Sequence, residues 1–146
     1  MKKLLTLLSL TTAVAAFGSS NPDSANMNVS ATIMETLTVK IDQHAEFGKI
    51  AKGTSGNIAI GKFSIKGQGR NQAKITISGL TNDGKLALKN ISGATVWANI
   101  DHTEETIVLR QDEFISAKPI KFTLDIPNNQ QTGVYSGNVT IQARYN

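Results

Sequence analysis

The stretch Ile120-Lys121-Phe122-Thr123-Leu124-Asp125-Ile126 alternates apolar and polar side chains without a break, and Pro127 follows it. Successive side chains of an extended chain point to opposite faces. The spacing therefore predicts a strand with Ile120, Phe122, Leu124 and Ile126 inward and the side chains between them in water. Proline has no N–H to give to a ladder, so Pro127 ends the strand. Upstream the same period recurs at Leu37, Val39 and Ile41, at Ala73, Ile75 and Ile77, at Leu86 and Leu88, at Val96, Ala98 and Ile100, and at Ile107 and Leu109. Residues 45–50 read as a further short, partly apolar strand. Ile58 and Ile60 share one parity and Phe63 and Ile65 the other, which predicts a bulge near Gly61. Turn formers separate these runs at Lys52-Gly53-Thr54-Ser55-Gly56-Asn57 and at Gly67-Gln68-Gly69-Arg70-Asn71. Asn82-Asp83-Gly84 reads as a hairpin turn, because Asn and Asp tolerate positive φ. After the first 20 residues no eleven-residue window carries a 3.6-residue apolar stripe. Seven to nine short strands at this spacing predict an all-β chain folded as a β-sandwich.

The two ends add something a closed sandwich does not need. The polar loop 128–132 leads into a last alternating run with Tyr135, Gly137, Val139, Ile141, Ala143 and Tyr145 on one face. Near the other end, Asn26-Met27-Asn28-Val29-Ser30-Ala31-Thr32-Ile33-Met34 places Met27, Val29, Ala31 and Ile33 on one face, ahead of a complete set of strands. A strand to lend at one end and a bare edge at the other predict a chain that polymerises.

Lys2 and Lys3, the apolar run of residues 4–16 and the small residues Ala13-Val14-Ala15 read as a secretory signal, residues 1–20, cut near 15–20. The alternative, a membrane anchor, needs an apolar run of about 20 residues. Cleavage leaves about 126 to 130 residues, the size of one domain. With no cysteine, the chain has no disulfide, thiolate metal site or lipidated cysteine, and its core must be stabilised by packing. Without Lys2 and Lys3, 13 basic residues face 11 acidic ones, which gives no sign of a nucleic-acid partner. Charge is uneven along the chain: Lys49, Lys52, Lys62, Lys66, Arg70 and Lys74 follow one another with no acid between, whereas Asp101, Glu104, Glu105, Asp112 and Glu113 flank a single Arg110. These are either solvated strand faces or opposed patches that guide association.

Catalytic patterns are weak. His44 and His102 lie 58 residues apart, each in a loop-like context with no second ligand at hairpin or helical spacing. The acidic group could be read as glycosidase acid and base, but Thr103, Thr106, Arg110 and Gln111 around it indicate exposure. Gly67-Gln68-Gly69 lacks the third glycine of a dinucleotide fingerprint. Gly53-Thr54-Ser55-Gly56 has the spacing of a KH clamping loop but stands between strands instead of helices. Neither an enzyme nor a metal or cofactor site is expected. Trp97, opposite in parity to Val96 and Ala98, faces outward and either caps a small second core or stacks on carbohydrate.

Residues 27–41, with Asn28-Val29-Ser30-Ala31-Thr32-Ile33 followed after a short interruption by Leu37-Thr38-Val39-Lys40-Ile41, resemble the amino-terminal donor strand and first strand of colonisation-factor pilins of the chaperone–usher pathway. Ala45-Glu46-Phe47-Gly48-Lys49-Ile50 is similar to a Phe-Gly element of related secreted domains. Gly133, fourteenth from the end, and the penultimate Tyr145 resemble the glycine and aromatic that open and close the last strand of such pilins. The resemblance covers about 30 residues at the two ends, with alternation in between merely compatible, and the chain lacks the disulfide that many pilins of this pathway carry. It implies an immunoglobulin-like sandwich lacking its final strand. Residues 1–20 would then be the signal, 21–35 the extension with the donor face Met27, Val29, Ala31 and Ile33, and 36–146 the pilin domain. Gly133, Tyr135, Val139, Ile141, Ala143 and Tyr145 would form the edge taken first by a periplasmic chaperone and then by the next subunit's donor strand. The implied partners are other copies of the chain, the chaperone, an outer-membrane usher and a host or surface receptor. The implied place is the cell surface, reached through the periplasm, and the implied role is adhesion. The alternative is a self-contained secreted β-sandwich that binds a ligand such as carbohydrate through Trp97.

Overall fold

The computed structural model describes residues 25–110 and 115–146. The signal segment, residues 21–24 of the extension, Asp112 and Glu113 lie outside the described residues. The chain divides into two units, Met1–Thr32 and Ile33–Asn146. Of the first, residues 25–32 are described and carry no regular secondary structure.

The second unit is all-β. Its strands are β1 (Thr38–Gln43), β2 (Asn57–Lys66), β3 (Gln72–Ser78), β4 (Lys85–Lys89), β5 (Thr95–Ile100), β6 (Glu104–Val108), β7 (Ile115–Leu124) and β8 (Thr140–Tyr145). They form two antiparallel sheets, a five-stranded one in the order β1-β2-β7-β5-β4 and a three-stranded one in the order β6-β3-β8, consistent with a β-sandwich. The alternation fixes which faces meet. Ile120, Phe122 and Leu124 of β7, Leu86 and Leu88 of β4, and Val96 and Ala98 of β5 are buried from one sheet; Ala73, Ile75 and Ile77 of β3 and Ile107 of β6 are buried from the other. Leu109, just past β6, is only 1% exposed.

Four local expectations are corrected. Gly61 is not a bulge: β2 stays in register with β7 from Asn57 to Phe63, and the register shifts between Phe63 and Ile65. The inward residues are Ala59, Gly61, Phe63 and Ile65, while Ile58 and Ile60 face out, 53% and 43% exposed. The small residues are the inward ones because another segment crosses β2 here; a Cβ on Gly61 would lie 3.4 Å from the Gln43 carbonyl oxygen and 3.5 Å from Ala45 Cβ. Within the shifted segment Ser64 is buried, and its hydroxyl donates to the Asp42 carboxylate.

Asn82-Asp83-Gly84 forms a turn, but not a hairpin. The Gly84 N–H donates to the Thr81 carbonyl (2.9 Å) and the Thr81 N–H to the Lys85 carbonyl (2.8 Å), yet β3 and β4 lie in different sheets. Residues 45–50 carry no strand. The last strand starts only at Thr140: residues 133–139 make one bridge, between Ser136 and Lys89 of β4, before the chain joins β3 in the other sheet. Gly137 marks that passage, because a Cβ there would stand 2.5 Å from the Ala87 carbonyl oxygen.

Candidate functional site: an open groove beside the last strand

Three strands cannot cover the inner face of five. The shortfall is next to β8, which pairs with β3 and with no other strand among the described residues. Two adjoining cavities of about 460 and 440 Å³ open there, and both are lined by Phe47, Gly48, Leu88 and Tyr135. The floor of the first is Leu86, Leu88, Ile120 and Phe122, and that of the second is Leu88, Val96 and Leu124. These are inward side chains of β4, β5 and β7, placed there by the same alternation that builds the core. One wall is the chain after β1, where His44, Phe47 and Ile50 stand. The other wall is the approach to β8, with Tyr135, Val139 and Ile141. The result is an apolar trough bordered by the irregular approach to β8 and by Ile141 near the start of that strand, a place where an extended segment can be added by β-augmentation.

Tyr135 is held in place between the two cavities. Its hydroxyl donates to the Gln131 carbonyl (2.7 Å) and accepts from Gln130 Nε2 (2.7 Å). At the other end of β8 the Tyr145 hydroxyl accepts from the Gln68 N–H (2.7 Å) and donates to the Glu35 carbonyl (2.8 Å), while the Glu35 N–H donates to Gln68 Oε1 (3.3 Å). Three segments, the end of β8, the turn after β2 and the lead into β1, are tied there. The groove opens beyond this knot, where Ile41 and Ile141 both line it.

Of the edge residues expected from sequence, Tyr135, Val139 and Ile141 line the first cavity and Gly133 and Tyr135 the second. Ala143 and Tyr145 are partly buried against the core past the end of the trough. Met27, Val29 and Ile33 are exposed, at 86%, 88% and 94%, as is Ala31. The sequence reading missed the floor, because Leu86, Leu88 and Phe122 carry the same pattern as any core strand. It named Phe47 without placing it in a wall.

The remaining candidates lie elsewhere. Glu105 pairs with Lys118, joining β6 of one sheet to β7 of the other, and Glu104 pairs with Lys74 at 2.6 Å. His102 Nδ1 is 2.9 Å from Asp101. Among the described residues no group of three or more His, Asp or Glu side chains is placed to hold a metal ion. Among the described residues Glu46 is the one carboxylate lining the trough, with Lys49, Lys52 and Lys62 also on its walls. Trp97 stands 48% exposed on β5, opposite Ala87. Compared with known proteins, the chain matches no family model and no curated sequence.

Proposed function

We propose that this chain is a structural subunit of a bacterial surface fimbria serving adhesion, exported through the periplasm and polymerised by donor-strand exchange. The observation that carries the reading is the open apolar trough along the approach to β8 and at its start, in a chain that also holds an alternating segment, residues 26–34, with no strand of its own. In the subunit's life the trough is filled first by a periplasmic chaperone, with an outer-membrane usher handing subunits on, and then by Met27, Val29, Ala31 and Ile33 of the next copy. Backbone hydrogen bonds to β8 supply affinity, and alternate side chains set the register. Burying a large apolar side chain contributes about 1.5 to 3 kcal/mol, so Met27, Val29 and Ile33 together supply several kcal/mol beyond the ladder.

The test is a deletion of residues 26–34, which leaves an acceptor with nothing to lend. The expected product stays monomeric, and a synthetic peptide of residues 25–34 raises its melting temperature by ligand linkage. A deleted chain that still forms denaturant-resistant ladders, or a peptide without effect on melting, overturns the reading. A stable, peptide-indifferent monomer would instead favour a self-contained binding module presenting Trp97.

A further inference from the structure

An apolar trough and an apolar arm on the same chain pose a problem of self-occupancy. From the Tyr145 knot toward the trough, residue numbers rise from Leu37 through β1 to Ile41 and fall along β8 from Tyr145 to Ile141. The arm, residues 26–34, joins β1 at the knot. To lay its whole apolar face, through Ile33, in its own trough it must reverse after that residue, at residues 35–37, and it then lies parallel to β8. Parallel pairing is slightly weaker per residue than antiparallel, but a short tether sets the arm's effective concentration near the millimolar range, far above that of a neighbour in dilute solution. Unless something holds its root, the arm closes its own groove.

The root is where the hydrogen bonds are. Glu35 has both backbone groups engaged, the N–H by Gln68 Oε1 and the carbonyl by the Tyr145 hydroxyl, and that hydroxyl is itself fixed by the Gln68 N–H. Gly67 completes the seat: a Cβ there would stand 2.5 Å from Leu37 Cδ2 and 2.8 Å from Tyr145 Oη. Reversing the chain at residues 35–37 reorients the Glu35 peptide groups and breaks these bonds.

We propose that Tyr145 is a positioning residue that pins the root of the amino-terminal arm, so that the arm is withheld from its own groove and kept for a second copy of the chain. The inference rests on the donor-strand reading. Tyr145 acts through Glu35, at a distance from the trough it protects.

The experiment compares the wild-type chain, Tyr145→Phe and the double variant Tyr145→Phe with Ile33→Asp. Each is refolded at submicromolar concentration and offered the fluorescent peptide 25–34. Wild type is expected to take up the peptide. Tyr145→Phe is expected to take it up about tenfold less, the scale of one or two lost hydrogen bonds at the root, and to remain monomeric where wild type polymerises. The double variant, whose own arm carries a charge, is expected to recover uptake, which a merely damaged fold could not do. Uptake by Tyr145→Phe equal to wild type overturns the inference, and so does a double variant that stays refractory. If wild type takes up no peptide, the donor-strand reading fails first and this one falls with it.

Discussion

Gly137 carries a constraint that none of its neighbours shares. The chain leaves its single bridge to β4 at Ser136 and crosses toward β3, and at the crossing its backbone lies against Ala87 and Leu88. Any side chain there meets the Ala87 carbonyl oxygen, a backbone atom of β4 that cannot swing away. Gly137→Ala is expected to destabilise the domain by about 1 to 3 kcal/mol, the usual cost of forced overpacking. Gln142→Ala, on an exposed position of β8, should stay within about 0.5 kcal/mol. Urea midpoints of the two variants with the peptide 25–34 present in excess would show it. Equal midpoints would mean that the crossing relaxes freely and that the trough wall at Tyr135 and Val139 is not fixed by it.

At the scale of the element, β2 separates what the pattern tells from what it conceals. The strand is legible, but its inner face is not: two isoleucines mark the outer face, and Ala59 and Gly61 occupy the inner one, with the segment around Ala45 lying against Gly61. Ile60→Lys is therefore expected to change stability by less than about 0.5 kcal/mol, whereas Phe63→Ala, at 1% exposure, should cost about 3 to 5 kcal/mol. Thermal or urea unfolding of each variant decides it, and a large loss for Ile60→Lys would reverse the assigned faces. The same logic explains the rest of the comparison. β3, β4, β5, β6 and residues 120–124 of β7 follow from strict alternation, as do the inward residues Tyr135, Val139 and Ile141, whereas residues 115–119 of β7, with Pro119 among them, do not. Which sheet each strand joins does not follow, since a turn such as Asn82-Asp83-Gly84 has the same local chemistry whether it returns a strand to its partner or sends it across to the facing sheet. The trough does not follow from the alternation for that reason: it is a difference between two strand counts, five and three, and no single segment carries it.

For the molecule as a whole, that imbalance leaves an apolar face and a strand edge open together, an aggregation hazard that a committed occupant removes. The acidic stretch does little to choose the occupant. Among the described acids, Glu104 and Glu105 are taken up by Lys74 and Lys118 of the same chain, so the acidic stretch is in good part neutralised internally. Selection of the proposed donor then rests on register, and register in a strand is sensitive to a single residue. Ala31 lies in the middle of the donor face and Thr32 points the other way. In the proposed fibre, Ala31→Asp or Ile33→Asp would place a carboxylate against the apolar floor of Leu86, Leu88 and Phe122, a penalty larger than the side chain's apolar contribution. Thr32→Asp keeps its charge in water. The expected outcome is that Ala31→Asp and Ile33→Asp chains fold and accept the free peptide but form no ladder on unboiled denaturing gels, while Thr32→Asp ladders like wild type. Equal ladders from all three would mean that residues 26–34 do not read a trough at period two, and the polymer would have to be built by some other contact.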